Sequence, residues 1–264
     1  MSNATQPLLI ANWKANLAPG EEVALATQIA TQATARRLSP GSLMIAPSTV
    51  GLVAVASLLR REYAALNIGI ATQDCSSDLA GAATGELPAT HLVGIADAVI
   101  LGHSERRARG ESGDLIGAKA ARCVAAGITP IICVGDADPK ATESERSAVV
   151  VQQWREVLAG AAALGCDAAA ILGAGVIVAY EPVWAIGSGQ AASPAVAVAV
   201  ASALRSDAAS SSLRVLYGGS VDGGSAAGFL AAAGAGSING LLIGGASLQA
   251  DRLLDIAAAS GVAS

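Results

Sequence analysis

The chain has 264 residues, of which 53% are hydrophobic and 14% are charged, and only three Trp, three Tyr and one Phe are aromatic. This length buries most of its surface in a single core, so no disulfide or metal is needed for stability. The net charge of −5 and the lack of a basic block argue against nucleic acid as a partner. Two histidines and four cysteines without a C-x-x-C pair argue against a metal site.

The first seven residues are polar and are expected to form a disordered or extended segment, residues 1–7, without the pattern of an export signal. We therefore expect a reduced, cytoplasmic location. The most apolar stretch, residues 157–180, is split by Asp167, is rich in Gly and Ala and ends at Glu181-Pro182. We interpret it as the end of a helix followed by a buried strand, so no membrane association is expected.

Short runs of Val, Ile and Leu without polar alternation recur along the chain, as is typical of parallel strands covered on both faces. The predicted strands are 8–13, 43–46, 68–72, 98–101, 129–134, 176–180, 213–217 and 240–243. Ala-rich segments with helical spacing lie between them. In 21–37 the shared apolar face contains Val23, Leu25, Ile29 and Ala30, and in 145–164 it contains Val149, Val150, Trp154, Val157 and Leu158.

Strand and helix alternate without a linker, which predicts one α/β domain with a parallel sheet over residues 8–264. Eight such units in about 250 residues match a closed (β/α)8 barrel. A doubly wound open sheet is less consistent with the sequence, because no G-x-G-x-x-G follows the first strand.

The chemically unusual residues follow the predicted strands, at the rim where barrels of this type place their active sites. Asn12 and Lys14 follow the first strand, His103 and Glu105 the fourth, and Glu181 the sixth. Gly-rich turns at 217–220 and 244–247 follow the last two strands, and such turns before a helix offer free N–H groups that suit a phosphate. The sequence predicts a phosphate-binding enzyme site at this rim.

These motifs resemble those of the triosephosphate isomerase family over nearly the whole chain. The resemblance rests on Asn-Trp-Lys at 12–14, Leu-Gly-His-Ser-Glu-Arg-Arg at 101–107, Tyr-Glu-Pro-Val-Trp-Ala-Ile-Gly-Ser-Gly at 180–189, and the turns 217–221 and 244–248. It implies a TIM barrel that interconverts dihydroxyacetone phosphate and glyceraldehyde 3-phosphate, a step of glycolysis and gluconeogenesis, through an enediolate and without a cofactor.

The resemblance also implies a role for each of these residues. The base and the electrophile of this family are a well-known example of pKa values tuned by the protein environment. Glu181 moves the proton, His103 donates from a neutral ring, and Lys14 offsets the phosphate and enediolate charges. We expect the helical turn 104–109 to keep His103 neutral. Asn12 orients Lys14 or donates to the oxyanion.

Two further residues are expected to support this group, and a pair of glycines to bind the phosphate. Glu105 resembles a buried neighbour of Lys14, and Lys119 is expected to pair with Glu105. Gly244 and Gly245, with Ser220, resemble the family's phosphate-binding residues.

Residues 182–192 resemble the family's flexible lid, which is expected to close when the Gly187 N–H meets the phosphate. Ile186 in the lid and Leu242 are expected to close on Glu181 and exclude water. Tyr217 and Ser220 are expected to hold the closed lid.

The long segment 73–86 resembles the family's dimer loop, in which Thr84 meets Asn12 and Lys14 of the partner. A homodimer is implied. The chain departs from the family's usual pattern at Ala83, Asp74, Gln190 and Asp136, the last of which stands in place of a longer Glu and makes contact with Trp184 uncertain.

Two alternatives remain open at this level. A sister isomerase acting on a short ketose phosphate such as a tetrulose phosphate would need the same base and electrophile. A non-catalytic barrel that binds a sugar phosphate would not need Glu181 or a lid. A metal-dependent aldolase is disfavoured because the site has no second histidine.

Overall fold

The computed structural model describes residues 6–186, 191–231 and 236–264, in which eight parallel strands close into a barrel in sequence order. The strands are β1 Leu8–Asn12, β2 Leu43–Ala46, β3 Gly69–Thr72, β4 Ala98–Leu101, β5 Thr129–Asp136, β6 Ile177–Pro182, β7 Arg214–Tyr217 and β8 Gly240–Ile243. The predicted (β/α)8 barrel is confirmed, and each predicted strand is found within two residues of its expected ends.

Helices surround the barrel. They are α1 Pro19–Ala35, α2 Leu52–Glu62, α3 Ser104–Arg107, α4 Gly113–Ala125, α5 Glu143–Ala162, α6 Ala168–Gly173, α7 Pro194–Asp207, α8 Ala226–Leu230 and α9 Ala250–Ala259. Short 3-10 helices occupy Ala64–Leu66, Ala89–Leu92, Val183–Ala185 and Gly245–Leu248. Local sequence explains several starts: Ser112 and Ser193 cap α4 and α7 through their hydroxyls, and Thr142 forms a capping box with Glu145 at α5.

Side chains alternate along each strand between the barrel interior and the layer beneath the helices. The interior cluster contains Leu8, Ile10, Ala46, Ala71, Ala98, Ile100, Ile131, Cys133, Ile177, Ala179, Leu216 and Leu242. Asn12 and Glu181 continue the interior series two residues after Ile10 and Ala179. The same alternation that builds the core therefore points these two polar side chains into the mouth of the barrel.

One detail of the predicted helix faces is wrong. Val149 is 46% exposed, whereas Arg146 in the preceding turn is buried because it reaches Asp136 at the end of β5. In α1 Val23 is partly buried and packs against the core as predicted, and the neighbouring Glu22 is buried as well because its carboxylate accepts hydrogen bonds from the N–H and hydroxyl of Ser48. In both helices a polar contact with a residue distant in sequence buries a charged side chain.

The apolar stretch 157–180 is divided among α5, α6 and β6. Among the described residues, no helix is long and apolar enough to cross a membrane. All four cysteines are free, but Cys75 and Cys123 lie together with their Sγ atoms 3.6 Å apart. No group of three or more potential metal ligands occurs in the described part of the chain.

Candidate active site

A cavity of about 420 Å³ opens at the carboxyl ends of the strands. Most of the predicted site residues line it: Asn12, Lys14, His103, Glu181, Ile186, Ser220, Leu242, Gly244 and Gly245. Gly187 lies outside the described residues, as do 188–190 of the predicted lid. The fold thus brings residues from β1, β4, β6, β7 and β8 to one place.

Glu181 is the buried carboxylate of this cavity. It lies opposite Gly135 in the β5–β6 pairing, and its Oε2 accepts a hydrogen bond from the Ser104 N–H at 2.8 Å. Oε1 accepts no hydrogen bond from the described residues. Burial raises the pKa of Glu181 to about 7, because the Ser104 N–H and the Lys14 charge offset only part of the cost of removing the carboxylate from water. The carboxylate is therefore an unusually strong base for a glutamate.

His103 is a neutral hydrogen-bond donor beside Glu181. Its Nδ1 accepts from the Glu105 N–H at 3.2 Å as the N-cap of α3, so Nε2 carries the proton in the neutral ring. Nε2 lies 3.0 Å from Glu181 Oε1, but the two atoms are not aligned as a hydrogen bond. Burial lowers the pKa of His103 to about 4, with a further contribution from the Lys14 charge and opposition from Glu105. The expected neutral ring agrees with this pKa, but burial is the main cause rather than the short helix α3.

Lys14 places its ammonium in the same cavity from a left-handed backbone conformation with φ of 53°. Such a conformation costs free energy for a non-glycine residue, so the surrounding structure must hold it. The Lys14 N–H donates to Asn12 Oδ1 at 3.1 Å, and Gln73 Nε2 donates to the Lys14 carbonyl at 2.8 Å. Asn12 and Gln73 together fix the direction of Lys14.

Glu105 bonds to Lys14, with Oε1 2.8 Å from Nζ. It is not the buried neighbour that we expected, because its side chain is 56% exposed in the single chain. Glu105 lies on the first turn of α3 at the edge of the cavity. Its carboxylate holds the ammonium from the solvent side.

Lys119 does not pair with Glu105, so the predicted support is wrong. Its Nζ lies 2.8 Å from Asp74 Oδ1 and also contacts Glu111 Oε1. Arg106 reaches the same Asp74 at 2.7 Å. The buried Lys119 on α4 faces the loop after β3, and it therefore anchors that loop instead of the Lys14–Glu105 pair.

Asp136 lies at the end of β5 on the face that points away from the cavity. Its carboxylate accepts hydrogen bonds from the Tyr180 hydroxyl at 2.6 Å and from Trp184 Nε1 at 3.0 Å, and it also pairs with Arg146. The uncertain contact with Trp184 is therefore present. β5 continues two residues beyond its predicted end and ends at Asp136 itself.

The predicted lid segment, residues 182–192, is attached near both of its ends to β7 and to the turn that follows β7. Ser220 Oγ donates to the Ala185 carbonyl at 2.7 Å, near the start of this segment, and the Ala192 N–H donates to the Tyr217 hydroxyl at 2.9 Å, at its last residue. The Tyr217 ring also stacks on Phe229, with centroids 3.9 Å apart. Tyr217 and Ser220 thus hold the two ends of the lid segment.

Gly244 and Gly245 bring backbone to the cavity wall after β8. A Cβ atom on Gly245 would meet no atom within 4 Å, and one on Gly244 would lie 3.7 Å from Lys14 Cε. The open space beside these glycines and the nearby ammonium suit an anionic group. Arg252 of α9 also lines the cavity.

The sequence model of the family described as triosephosphate isomerase matches residues 7–260. The chain belongs to the triosephosphate isomerase family.

Proteins named triosephosphate isomerase are similar to the chain over almost its full length. The one from Leifsonia xyli subsp. xyli is 40% identical, with 92% of this chain and 93% of the relative covered. The relative from Rhodococcus jostii is 36% identical over 97% of both chains, and that from Bordetella pertussis is 38% identical over 96% of both.

Two residues of this family member were missed in the sequence. Arg146 carries a detectable signal, because it precedes the buried Val150 and Trp154 at four-residue spacing and so lies on their face of α5. Arg252 carries none, since it falls outside every motif that we recognised. Its position on the cavity wall is evident only once α9 is packed against the barrel.

Proposed function

We propose that the chain interconverts dihydroxyacetone phosphate and glyceraldehyde 3-phosphate by proton transfer through an enediolate. The observation that carries the proposal is the pairing of opposite pKa shifts in one cavity. Glu181 has a pKa raised to about 7 and His103 a pKa lowered to about 4, with Glu181 Oε1 and His103 Nε2 3.0 Å apart. Such a pair provides a base and a neutral donor at the same pH.

Glu181 takes the proton from one carbon of the substrate and returns it to the adjacent carbon. A base with a pKa near 7 is ionised in about half of the molecules at neutral pH and still binds a proton strongly. The hydrogen bond from the Ser104 N–H lowers its basicity. If the Glu181 carboxylate leaves the Ser104 N–H and turns toward the bound substrate, it loses this hydrogen bond and becomes a stronger base.

His103, Lys14 and Asn12 stabilise the charge that develops on the substrate oxygens. The Nε2–H of a neutral imidazole donates without giving up its proton prematurely. The Lys14 ammonium lies in the same cavity, with Asn12 bonded to its backbone. These groups are in place before the reaction, so little reorganisation accompanies the charge development.

The phosphate binds to the backbone of Gly244 and Gly245, with Ser220 beside them and the expected contribution of Gly187 when the lid closes. Ile186 and Leu242 lie on the cavity wall with Glu181 and exclude water from it. Water exclusion maintains the high pKa of Glu181 and protects the enediolate from loss of phosphate.

We also propose a homodimer, formed through the loop around Thr84, in the cytoplasm. Large apolar side chains are exposed in the single chain: Val50 before α2 is 78% exposed, and Val53 in the first turn of α2 and Leu79 in the loop after β3 are also exposed. Thr84 and Glu86 are exposed as well. A partner loop inserted beside Lys14 and Glu105 would cover this surface. Light scattering that finds a folded, fully active monomer would contradict the dimer.

The test of the activity is turnover of glyceraldehyde 3-phosphate, coupled to a dehydrogenase that consumes dihydroxyacetone phosphate. A tetrulose phosphate is assayed in parallel under the same conditions. We expect a higher kcat/KM with the triose phosphate. A higher value with the tetrulose phosphate would favour the sister isomerase, whereas tight binding of both without turnover would favour the non-catalytic barrel.

A further inference from the structure

Arg252 lies on the cavity wall beside the turns that follow β7 and β8. Ser220, Val221, Gly244 and Gly245, which belong to those turns, line the same cavity. Neither the motifs of the chain nor the proton-transfer chemistry requires an arginine here. Its position raises the question of what the guanidinium binds.

None of the described residues holds the Arg252 side chain in place. Among the described residues it forms neither a hydrogen bond nor an ion pair, and its side chain is exposed. Two carboxylates stand near it on α9, but Asp251 and Asp255 both pair with Arg36, at 3.5 Å and 2.6 Å. Arg36 therefore has two carboxylate partners, whereas Arg252 has none among the described residues.

The helix does not explain the residue either. Arg252 is the third residue of α9, where the positive end of the helix dipole disfavours a cation. Acidic residues are preferred in a first turn, and Asp251 satisfies that preference. Local stability would therefore favour a different residue than Arg at this position.

The charge balance of the site supplies a reason. The chain carries a net charge of −5, which repels an approaching phosphate dianion. In the cavity Glu181 contributes a further negative charge when it is ionised, and the ammonium of Lys14 is bonded to Glu105. Arg252 is the cation on the cavity wall whose charge no described carboxylate neutralises.

We propose that Arg252 is a substrate-binding residue that captures the phosphate dianion at the mouth of the site. This inference rests on the proposed function, since it assumes a phosphorylated substrate. Because Arg252 lies on α9, which packs against the turn Gly245–Leu248 after β8, it acts on capture of the substrate and not on proton transfer. Its effect falls mainly on KM and on the rate of association.

The test compares Arg252→Gln with Arg61→Gln. Arg61 is an exposed residue in the last turn of α2, which returns to the opposite end of the barrel, so both variants change the net charge equally. We expect Arg252→Gln to lower kcat/KM for glyceraldehyde 3-phosphate about tenfold at low ionic strength, mostly through KM. The deficit should shrink as salt increases, and Arg61→Gln should remain close to the wild type.

Two further measurements separate charge from structure. Arg252→Lys should restore most of the lost kcat/KM, because it keeps the positive charge. Unphosphorylated glyceraldehyde should react equally slowly with the wild type and with Arg252→Gln. A loss of activity on this substrate would show that the variant damages the site, and the proposal would then be wrong.

Titration with inorganic phosphate keeps the inference separate from the isomerase activity. Arg252→Gln should bind phosphate several-fold more weakly than Arg61→Gln, whether or not the wild type turns over a triose phosphate. Equal phosphate affinity and equal kcat/KM in these two variants would overturn the role of Arg252. An inactive wild type that still shows the difference in phosphate binding would overturn the proposed function alone.

Discussion

The ends of β5 and β6 carry two buried carboxylates, Asp136 and Glu181, with opposite surroundings. The register pairs Gly135 with Glu181 and Asp136 with Pro182, so the carboxylates lie almost side by side along the barrel. Alternation along the strands sends Glu181 into the cavity and Asp136 into the layer beneath the helices.

Their hydrogen-bond partners differ accordingly. Asp136 receives hydrogen bonds from Tyr180 and Trp184 and pairs with the buried Arg146, whose guanidinium lies 4.9 Å from the Trp184 ring centroid. Glu181 receives one backbone hydrogen bond, and its pKa rises to about 7. Burial alone does not determine what a carboxylate does, because the donors around it decide whether it is an anchor or a base.

Replacement of Glu181 by Gln should have the largest effect on activity. The amide keeps the size of the side chain but cannot accept the substrate proton, so kcat should fall about 10³-fold, within the range for loss of a general base. The coupled assay measures this fall, and circular dichroism checks that the variant is folded. Activity within tenfold of the wild type would show that another residue is the base.

Replacement of Asp136 by Asn should have the largest effect on stability. It leaves the guanidinium of Arg146 buried without a counter-charge, which costs about 3–5 kcal/mol in the free energy of unfolding. Urea denaturation measures the difference. Asp251→Asn is the matched control, because it also breaks a pair with an arginine but at an exposed carboxylate, and it should cost less than about 1 kcal/mol.

The pH dependence of stability should distinguish Glu181 from a stabilising carboxylate. The folded chain holds the Glu181 proton up to a pKa of about 7, whereas the unfolded chain releases it near 4.5. Stability from the protonated form is thus fully present below pH 4.5 and is lost as the pH rises to about 7. The free energy of unfolding of the wild type, relative to Glu181→Gln, should fall by up to about 3 kcal/mol over this interval.

Activity should follow the opposite trend over the same pH range. kcat/KM should increase as the pH rises through about 7, since only ionised Glu181 accepts a proton. Urea titrations and coupled assays at matched pH values measure both trends. A relative stability that rises with pH would contradict the raised pKa.

Gly135→Ala should have the smallest of these effects. It should disturb the ends of β5 and β6 together, because the added methyl group on β5 meets the backbone of β6. A Cβ atom at this position would lie 1.9 Å from the Glu181 carbonyl oxygen, so the backbone of β5 or β6 must shift. We expect a loss of about 1–3 kcal/mol in stability together with a lower kcat. Gly173→Ala, where a Cβ meets no atom within 4 Å, is the control and should leave kcat unchanged.

The strand positions were predictable because each strand is covered on both faces and therefore reads as an uninterrupted apolar run. The site residues Lys14, His103 and Glu181 were predictable because each belongs to a motif that follows such a run. The partner of Lys119 was not, since α4 approaches the loop after β3 only in the folded chain. Arg252 was missed for the same reason: α9 brings it to the cavity from outside every motif.

The sequence by itself determined the eight-fold alternation, the order of the strands and the kinds of side chain at their ends. These depend on residues close together in the chain, through periodicity and local motifs. Only the tertiary structure decided which of those side chains became a base, a donor or an anchor. Glu181, His103 and Asp136 take their protonation and their partners from residues on other strands and helices, because burial and hydrogen bonding are properties of the assembled barrel.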